Sequence, residues 1–161
     1  MEFIKSQVKD FDKFLKELMR KYKLIYTIPG ISVTLGAAIM GEIGDVNHFG
    51  TPQQLQAFAG MAPSITQSGN FQGTQGKISK RGSHYLRRAV YLAANAARRH
   101  DPVFKDHYER MIARGKHNKQ ALAAVATKLL RVIHAAMTSQ KPYHPQKLVF
   151  TSAQNSHAPS I

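Results

Sequence analysis

The stretch GSHYLRRAVYLAANAARRHDP, residues 82–102, decides how the rest of the chain reads. Ser83 stands where a helix N-cap belongs, and Leu86, Val90, Ala93 and Ala97 recur at spacings of four and three. That is the apolar stripe of a helix running to about Arg99, with many small alanines that let a neighbouring helix come close. Asp101-Pro102 is a second start signal, an N-cap followed by proline at the first helical position. The helix it starts carries Phe104, Tyr108, Met111 and Ile112 and stops at Gly115. Asn118 is the expected cap of a last long helix, with Leu122, Val125, Ala126, Leu129, Ile133 and Ala136 as its apolar positions. No strand pattern is convincing anywhere, so the fold class is all-α.

Towards the N-terminus the pattern changes period. Ile4, Val8, Phe11, Leu15, Leu18, Tyr22 and Ile25 alternate spacings of four and three over residues 3–25, the 3.5-residue repeat of a coiled-coil seam. Self-association through residues 4–25, giving a homo-oligomer, is the expectation, and packing on the chain's own domain the alternative. The chain begins inside this repeat, as expected of a piece cut from a longer protein. Residues 24–60 read as two short helices joined by loops. Ile28-Pro29-Gly30-Ile31, followed by Ser32 and the apolar run from Val33 to Met40, is similar to the turn of a helix-hairpin-helix module. In that module backbone amides at a helix N-terminus face a DNA phosphate. Ser32 occupies the place of the module's second glycine. Thr51-Pro52 caps and opens the next helix with Gln54 three residues on, Leu55, Phe58 and Ala59 form its buried side, and Gly60 ends it. From Ser139 onward the chain is polar and broken by prolines, a disordered or extended tail. The expected organisation is 1–26 coiled-coil helix, 27–139 helical domain and 140–161 tail.

Between the two halves lies PSITQSGNFQGTQGKISKRGSHYLRR, residues 63–88. Its first part is a Ser/Gly-rich loop, and its last part carries Lys77, Lys80, Arg81, Arg87 and Arg88. Glycines let backbone approach a ligand, hydroxyls and successive N–H groups bind anions, and guanidinium groups grip phosphate. A solvated loop leading into a basic helix is the plainer reading. The charge balance favours an anionic partner: 23 Lys+Arg against 9 Asp+Glu leave a net charge of +14. From Lys77 to Lys119 there are twelve basic residues and three acids, a local net of +9. Such a density implies nucleic acid as the partner, with an anionic membrane surface second. No continuous apolar run approaches the roughly 20 residues that span a bilayer, no signal-peptide core is present, and the absence of cysteine suits a cytoplasmic protein. Nine acids in all, the N-terminal four on the outer face of a helix and Asp101, Asp106 and Glu109 reading as solvated ion pairs, argue against a self-contained metal-dependent nuclease. The eight histidines show no metal-ligand spacing, and His84 is either a proton shuttle beside the loop or a solvent-facing side chain.

From about Thr27 to Tyr143 the chain resembles the C-terminal domain of the Piv/MooV-type, bridge-RNA-guided insertion-sequence transposases. The residues that carry the resemblance are IPGI (28–31), FGTPQQLQAFAGMAP (49–63), QSG (67–69), GKISKRGSHYLRR (76–88) and the alanine-rich helix that follows. The resemblance implies that Ser68, followed by Gly69, is the nucleophile that attacks a DNA phosphodiester, and that a guide RNA belongs to the intact enzyme. It also implies a metal-binding RNase-H-like domain of four acidic residues ahead of a coiled coil, so that Mg2+ would belong there and not to this chain. That domain is missing from these residues, and the fragment is expected to be inactive or weakly active alone. Phosphate would be bound by Lys77, Lys80, Arg81, Arg87 and Arg88, with Pro29 and Gly30 contributing from the hairpin. Ser64, Ser79 and Ser83 are rival serines, Ser83 reading as a helix cap. The alternative, from another class, is a basic all-α nucleic-acid-binding module without chemistry.

Overall fold

α4 (His84–His100) lies at the centre of the structure because one side of it is built from small and branched apolar residues. Leu86, Val90, Ala93, Ala94 and Ala97 are fully buried. Three other helices pack on it: α2 (Val33–Ile43), α5 (Pro102–Ala113) and α6 (Asn118–Ser139). The computed structural model describes residues 1–62 and 78–145, and between them the paired Gln67–Ser68 and Phe71–Gln72. Most of the starts are set by local capping. Ser32, Thr51 and Ser83 each accept a hydrogen bond from the backbone N–H three residues on, and Asp101 from those of Val103 and Phe104. Each such cap contributes about 1 kcal/mol. α6 starts one residue away from expectation: His117 is the N-cap, and its N–H donates to Gln120 Oε1 at 3.2 Å.

Three expectations change. The N-terminal α-helix, α1, spans Glu2–Leu18 and does not continue to Ile25; Met19–Thr27 is a 3-10 segment with Tyr22 in a non-helical conformation. Three residues per turn put positions 19, 22, 25 and 28 on one side, and Met19, Ile25 and Ile28 are buried there. Ile25 therefore belongs to the domain core, and the exposed part of the apolar seam ends at Leu18. Secondly, the start of the tail is part of the core. Tyr143 is buried, stacks on Phe104 with ring centroids 6.0 Å apart, and donates its hydroxyl to Asp101 Oδ2 at 3.1 Å. Its N–H donates to Thr27 Oγ1 at 2.9 Å, tying the tail to the 3-10 segment; residues 146–161 lie outside the described residues. Thirdly, a short antiparallel ribbon exists, β1 (Gln67–Ser68) with β2 (Phe71–Gln72), pairing Ser68 with Phe71. Two-residue strands are too short for alternation to reveal them, although the intervening Gly69-Asn70 is a favoured hairpin dipeptide. The architecture is otherwise helical, as expected.

α6 is long and apolar enough to cross a membrane by length and composition. It serves instead as a core helix, packed against α3 (Pro52–Phe58), α4 and α5, with Leu129, Leu130 and Ile133 fully buried. The buried His134 donates from Nε2 to the Phe49 carbonyl at 2.7 Å, a satisfied core histidine that joins α6 to the loop before α3.

Candidate nucleic-acid and catalytic site

The backbone on either side of residues 63–77 is drawn together by a clasp. Ser79 N–H donates to the Ala62 carbonyl at 3.0 Å, Lys80 N–H to Gly60 at 3.1 Å, and Ser83 N–H to Phe58 at 2.7 Å. Arg87 adds a side-chain strap from the first turns of α4: its Nη1 donates to the carbonyls of Ala59 (3.0 Å) and Lys80 (3.2 Å). Gly82 has φ +115, and a Cβ there would run into the Phe58 carbonyl, so only glycine lets the two backbones meet. This gives a physical reason for the pairing of FAGMA (58–62) with SKRGS (79–83) across the loop.

The clasp presents cations. Lys80, Arg81 and Arg88 are exposed, while Arg87 is half-buried by its strap. Lys80 sits at φ +54, a left-handed conformation that costs a side-chain-bearing residue roughly 1 kcal/mol. Among the described residues the two ion pairs are both on α5, Lys105 with Glu109 at 3.9 Å and Arg110 with Asp106 at 2.6 Å. Both are solvated and contribute little to stability. Lys80, Arg81, Arg87 and Arg88 are therefore not ion-paired within the described residues. Further along, Arg98 lies over the Tyr108 ring at 4.5 Å, and Lys128 donates to the Val103 carbonyl at 3.4 Å. Burial, followed by the positive charge of Arg110, pulls Lys128 below the ordinary lysine range. His107 is lowered by burial and by the charges of Lys128 and Arg110, so cations are crowded between α5 and α6 as well.

The sequence-predicted residues meet in part. Lys80, Arg81 and Arg87 lie at the clasp, where Arg87 Nη1 donates to the Lys80 carbonyl, whereas Arg88 lines the groove between α2 and α4. Ser68 is described only through its backbone pairing with Phe71, and Gly69 and Lys77 lie outside the described residues, as does Ser64. Pro29 and Gly30 belong to a different surface: Gly30 (φ +88) packs against the backbone of Ala96 and Ala97, where a Cβ would overlap α4. Its need for glycine is met by that helix contact. The segment before this turn is the 3-10 segment rather than an α-helix.

One acidic residue was missed as a member of this region. Glu42, near the C-terminal end of α2, accepts the Ser83 hydroxyl proton at 2.6 Å, while Ser83 Oγ accepts from Leu86 N–H at 3.0 Å. The two residues are 41 apart in sequence, and nothing local signals their meeting. Among the described residues no group of three or more His, Asp or Glu is placed to hold a metal ion.

The clasp sits on an otherwise helical scaffold, and comparison with known proteins names the family. Residues 22–109 match the profile of the transposase IS116/IS110/IS902 family, and the chain belongs to that family. It is 33% identical over 144 residues to the insertion element IS900 uncharacterized 42 kDa protein of Mycobacterium paratuberculosis, covering 87% of this chain and 36% of that protein. It is 33% identical over 115 residues to the insertion element IS110 uncharacterized 43.6 kDa protein of Streptomyces coelicolor, covering 71% and 28%. With the pilin gene-inverting protein of Moraxella bovis it shares 32% identity over 128 residues, 79% of this chain and 40% of that one. The chain spans between about a quarter and two fifths of the length of these relatives.

Proposed function

We propose that this chain is the DNA-binding and catalytic-serine part of a transposase of the Piv/MooV, bridge-RNA-guided type, acting in strand cleavage and rejoining. Ser68, followed by Gly69, is the nucleophile. Its Oγ forms a bond to phosphorus as the bond to the departing DNA oxygen breaks, and the serine proton ends on that departing hydroxyl. A phosphodiester is exchanged for a phosphoserine ester, so the bond is conserved for rejoining. Lys77, Lys80, Arg81, Arg87 and Arg88 bind the phosphate and offset the charge that develops on it. Pro29 and Gly30, beneath α4, contribute through the turn ahead of α2. Mg2+ is assigned to an RNase-H-like domain outside this chain. A guide RNA is the second nucleic-acid partner, and α1 joins two copies through its exposed seam.

The observation that carries this reading is the clasp. It holds together residues 58–62 and 79–83, which flank Ser68 in sequence, and it carries Lys80, Arg81 and the Arg87 strap. A cation kept at a backbone position that glycine would occupy more cheaply points to use of its charge. The test is a Ser68-dependent covalent adduct. In the enzyme reconstituted with its RNase-H-like domain, Ser68→Ala is expected to abolish the protein–DNA adduct, because the reaction path needs the hydroxyl, while leaving DNA binding within about twofold, because every phosphate-binding cation is kept. Ser79→Ala, whose contribution to the clasp is made by its backbone, is expected to keep adduct formation. An adduct that survives Ser68→Ala and is lost in Ser79→Ala would transfer the nucleophile to Ser79.

A further inference from the structure

Beside the clasp, α2 and α4 leave an open groove between them. Its floor is apolar, from Leu35 and Ala38 on α2 and Leu92 on α4, and Glu42, Tyr85 and Arg88 stand around it. Tyr85, Arg88 and Leu92 are three and four residues apart and so share one stripe of α4. This stripe is not turned inward: Tyr85 is 64% exposed and Leu92 52%. Tyr85 also meets the ring of the exposed His84, centroids 3.8 Å apart, making a two-ring surface at the first turn of the helix. Glu42, the groove's carboxylate, is engaged by the Ser83 hydroxyl. Arg88 is the cation nearest the groove, and Lys80 and Arg81 of the clasp are close by in sequence.

An aromatic pair over an apolar floor, beside an exposed guanidinium, matches the two parts of an unpaired nucleotide. The base is a flat apolar face that stacks on tyrosine, and the phosphate is an anion that the arginine can grip. A fully paired duplex buries its bases in its own stack and would leave such a floor uncovered. An apolar peptide would cover the floor but would gain nothing from the neighbouring cations. We infer that the α2–α4 groove binds an unpaired nucleotide of the nucleic-acid substrate, with its base on Tyr85 and its phosphate on Arg88. This rests on the proposed nucleic-acid function and adds a preference for locally unpaired substrate.

The chain as it stands can be tested with two labelled duplexes of one sequence, one fully paired and one carrying a single bulged 2-aminopurine. The bulged duplex is expected to bind more tightly, and the 2-aminopurine emission to be quenched on binding as the base stacks. Tyr85→Ala should lower affinity for the bulged duplex by about five- to a hundredfold, the range for loss of one base–aromatic stack. It should leave the paired duplex within about twofold. Tyr85→Phe, which keeps the ring, should behave as wild type, and Tyr85 is exposed enough that folding is not at stake. If both duplexes bind equally and Tyr85→Ala changes neither, the groove has no such role while the nucleic-acid function stands. If neither duplex binds, the nucleic-acid function falls and the groove's assignment with it.

Discussion

Single residues carry contacts whose loss has defined consequences. Gly82 lets the Phe58 carbonyl approach within the clasp, and Gly82→Ala combines an unfavourable φ of +115 with a backbone collision. We expect a loss of about 2–3 kcal/mol, read in urea unfolding, together with weaker DNA binding because the cations at the clasp lose their frame. An unchanged midpoint would show that the two backbones do not meet as described. At Tyr143, burial first and the Asp101 carboxylate second push the phenol well above its ordinary value of 10.0. A raised folded-state value means that the neutral phenol is favoured by folding. Its contribution is fully present below about pH 10 and is lost as pH rises from there towards the folded value. Tyr143→Phe should therefore cost about 1–2 kcal/mol at pH 7, where the bond to Asp101 is lost. Its deficit relative to wild type should shrink above pH 10. A deficit that is constant to pH 11.5 would mean that the hydroxyl is not held neutral.

At the scale of elements, α1 differs from the other helices. Phe3, Ile4, Val8, Phe11, Phe14 and Leu18 are each at least 55% exposed, an apolar side that the rest of the domain leaves uncovered. The domain helices, by contrast, bury their stripes against one another. Self-association should therefore depend on residues up to Leu18 and be indifferent to Ile25, which is in the core. The double variant Val8→Asp with Phe11→Asp is expected to convert a dimer to a monomer in sedimentation equilibrium while its unfolding midpoint, measured on the monomer, stays close to wild type. A wild-type chain that is monomeric at high concentration would refute association through this helix.

For the whole molecule, the decisive quantity is charge. Under the proposed function, a net +14 with a local +9 between Lys77 and Lys119 makes counterion release the expected main source of affinity for DNA. If about six phosphates are neutralised, affinity for duplex DNA should fall roughly a thousandfold between 50 and 200 mM salt. Arg88→Ala should reduce the slope of log affinity against log salt by close to one unit. Arg87→Ala should do more, because its strap to Ala59 and Lys80 goes as well and the clasp loosens. Affinity independent of salt would rule out the phosphate-led binding on which the proposed function depends.

The all-α class, a charge that favours an anionic partner and most helix starts are legible in the order of the residues alone. Thr51, Ser83 and Asp101 were readable as caps because a cap is a bond to an amide two or three residues on, made whatever the rest of the chain does. The family motifs around Gly60, Lys80 and Arg87 were also visible as a pattern. Their purpose was not, because the clasp is made from segments about twenty residues apart that meet only once α3 and α4 are packed. The same holds for Glu42 on Ser83 and for Gly30 on Ala97. It holds also for the change from α to 3-10 geometry after Leu18, which keeps Met19, Ile25 and Ile28 on one buried side. The segment after Ser139 reads as polar and proline-broken, yet Tyr143 is held by Thr27 and Asp101, 116 and 42 residues away. Capping and periodicity are local and survive in the sequence. Which distant surfaces touch is settled by the competition to bury apolar area, and that competition is resolved only when the helices pack.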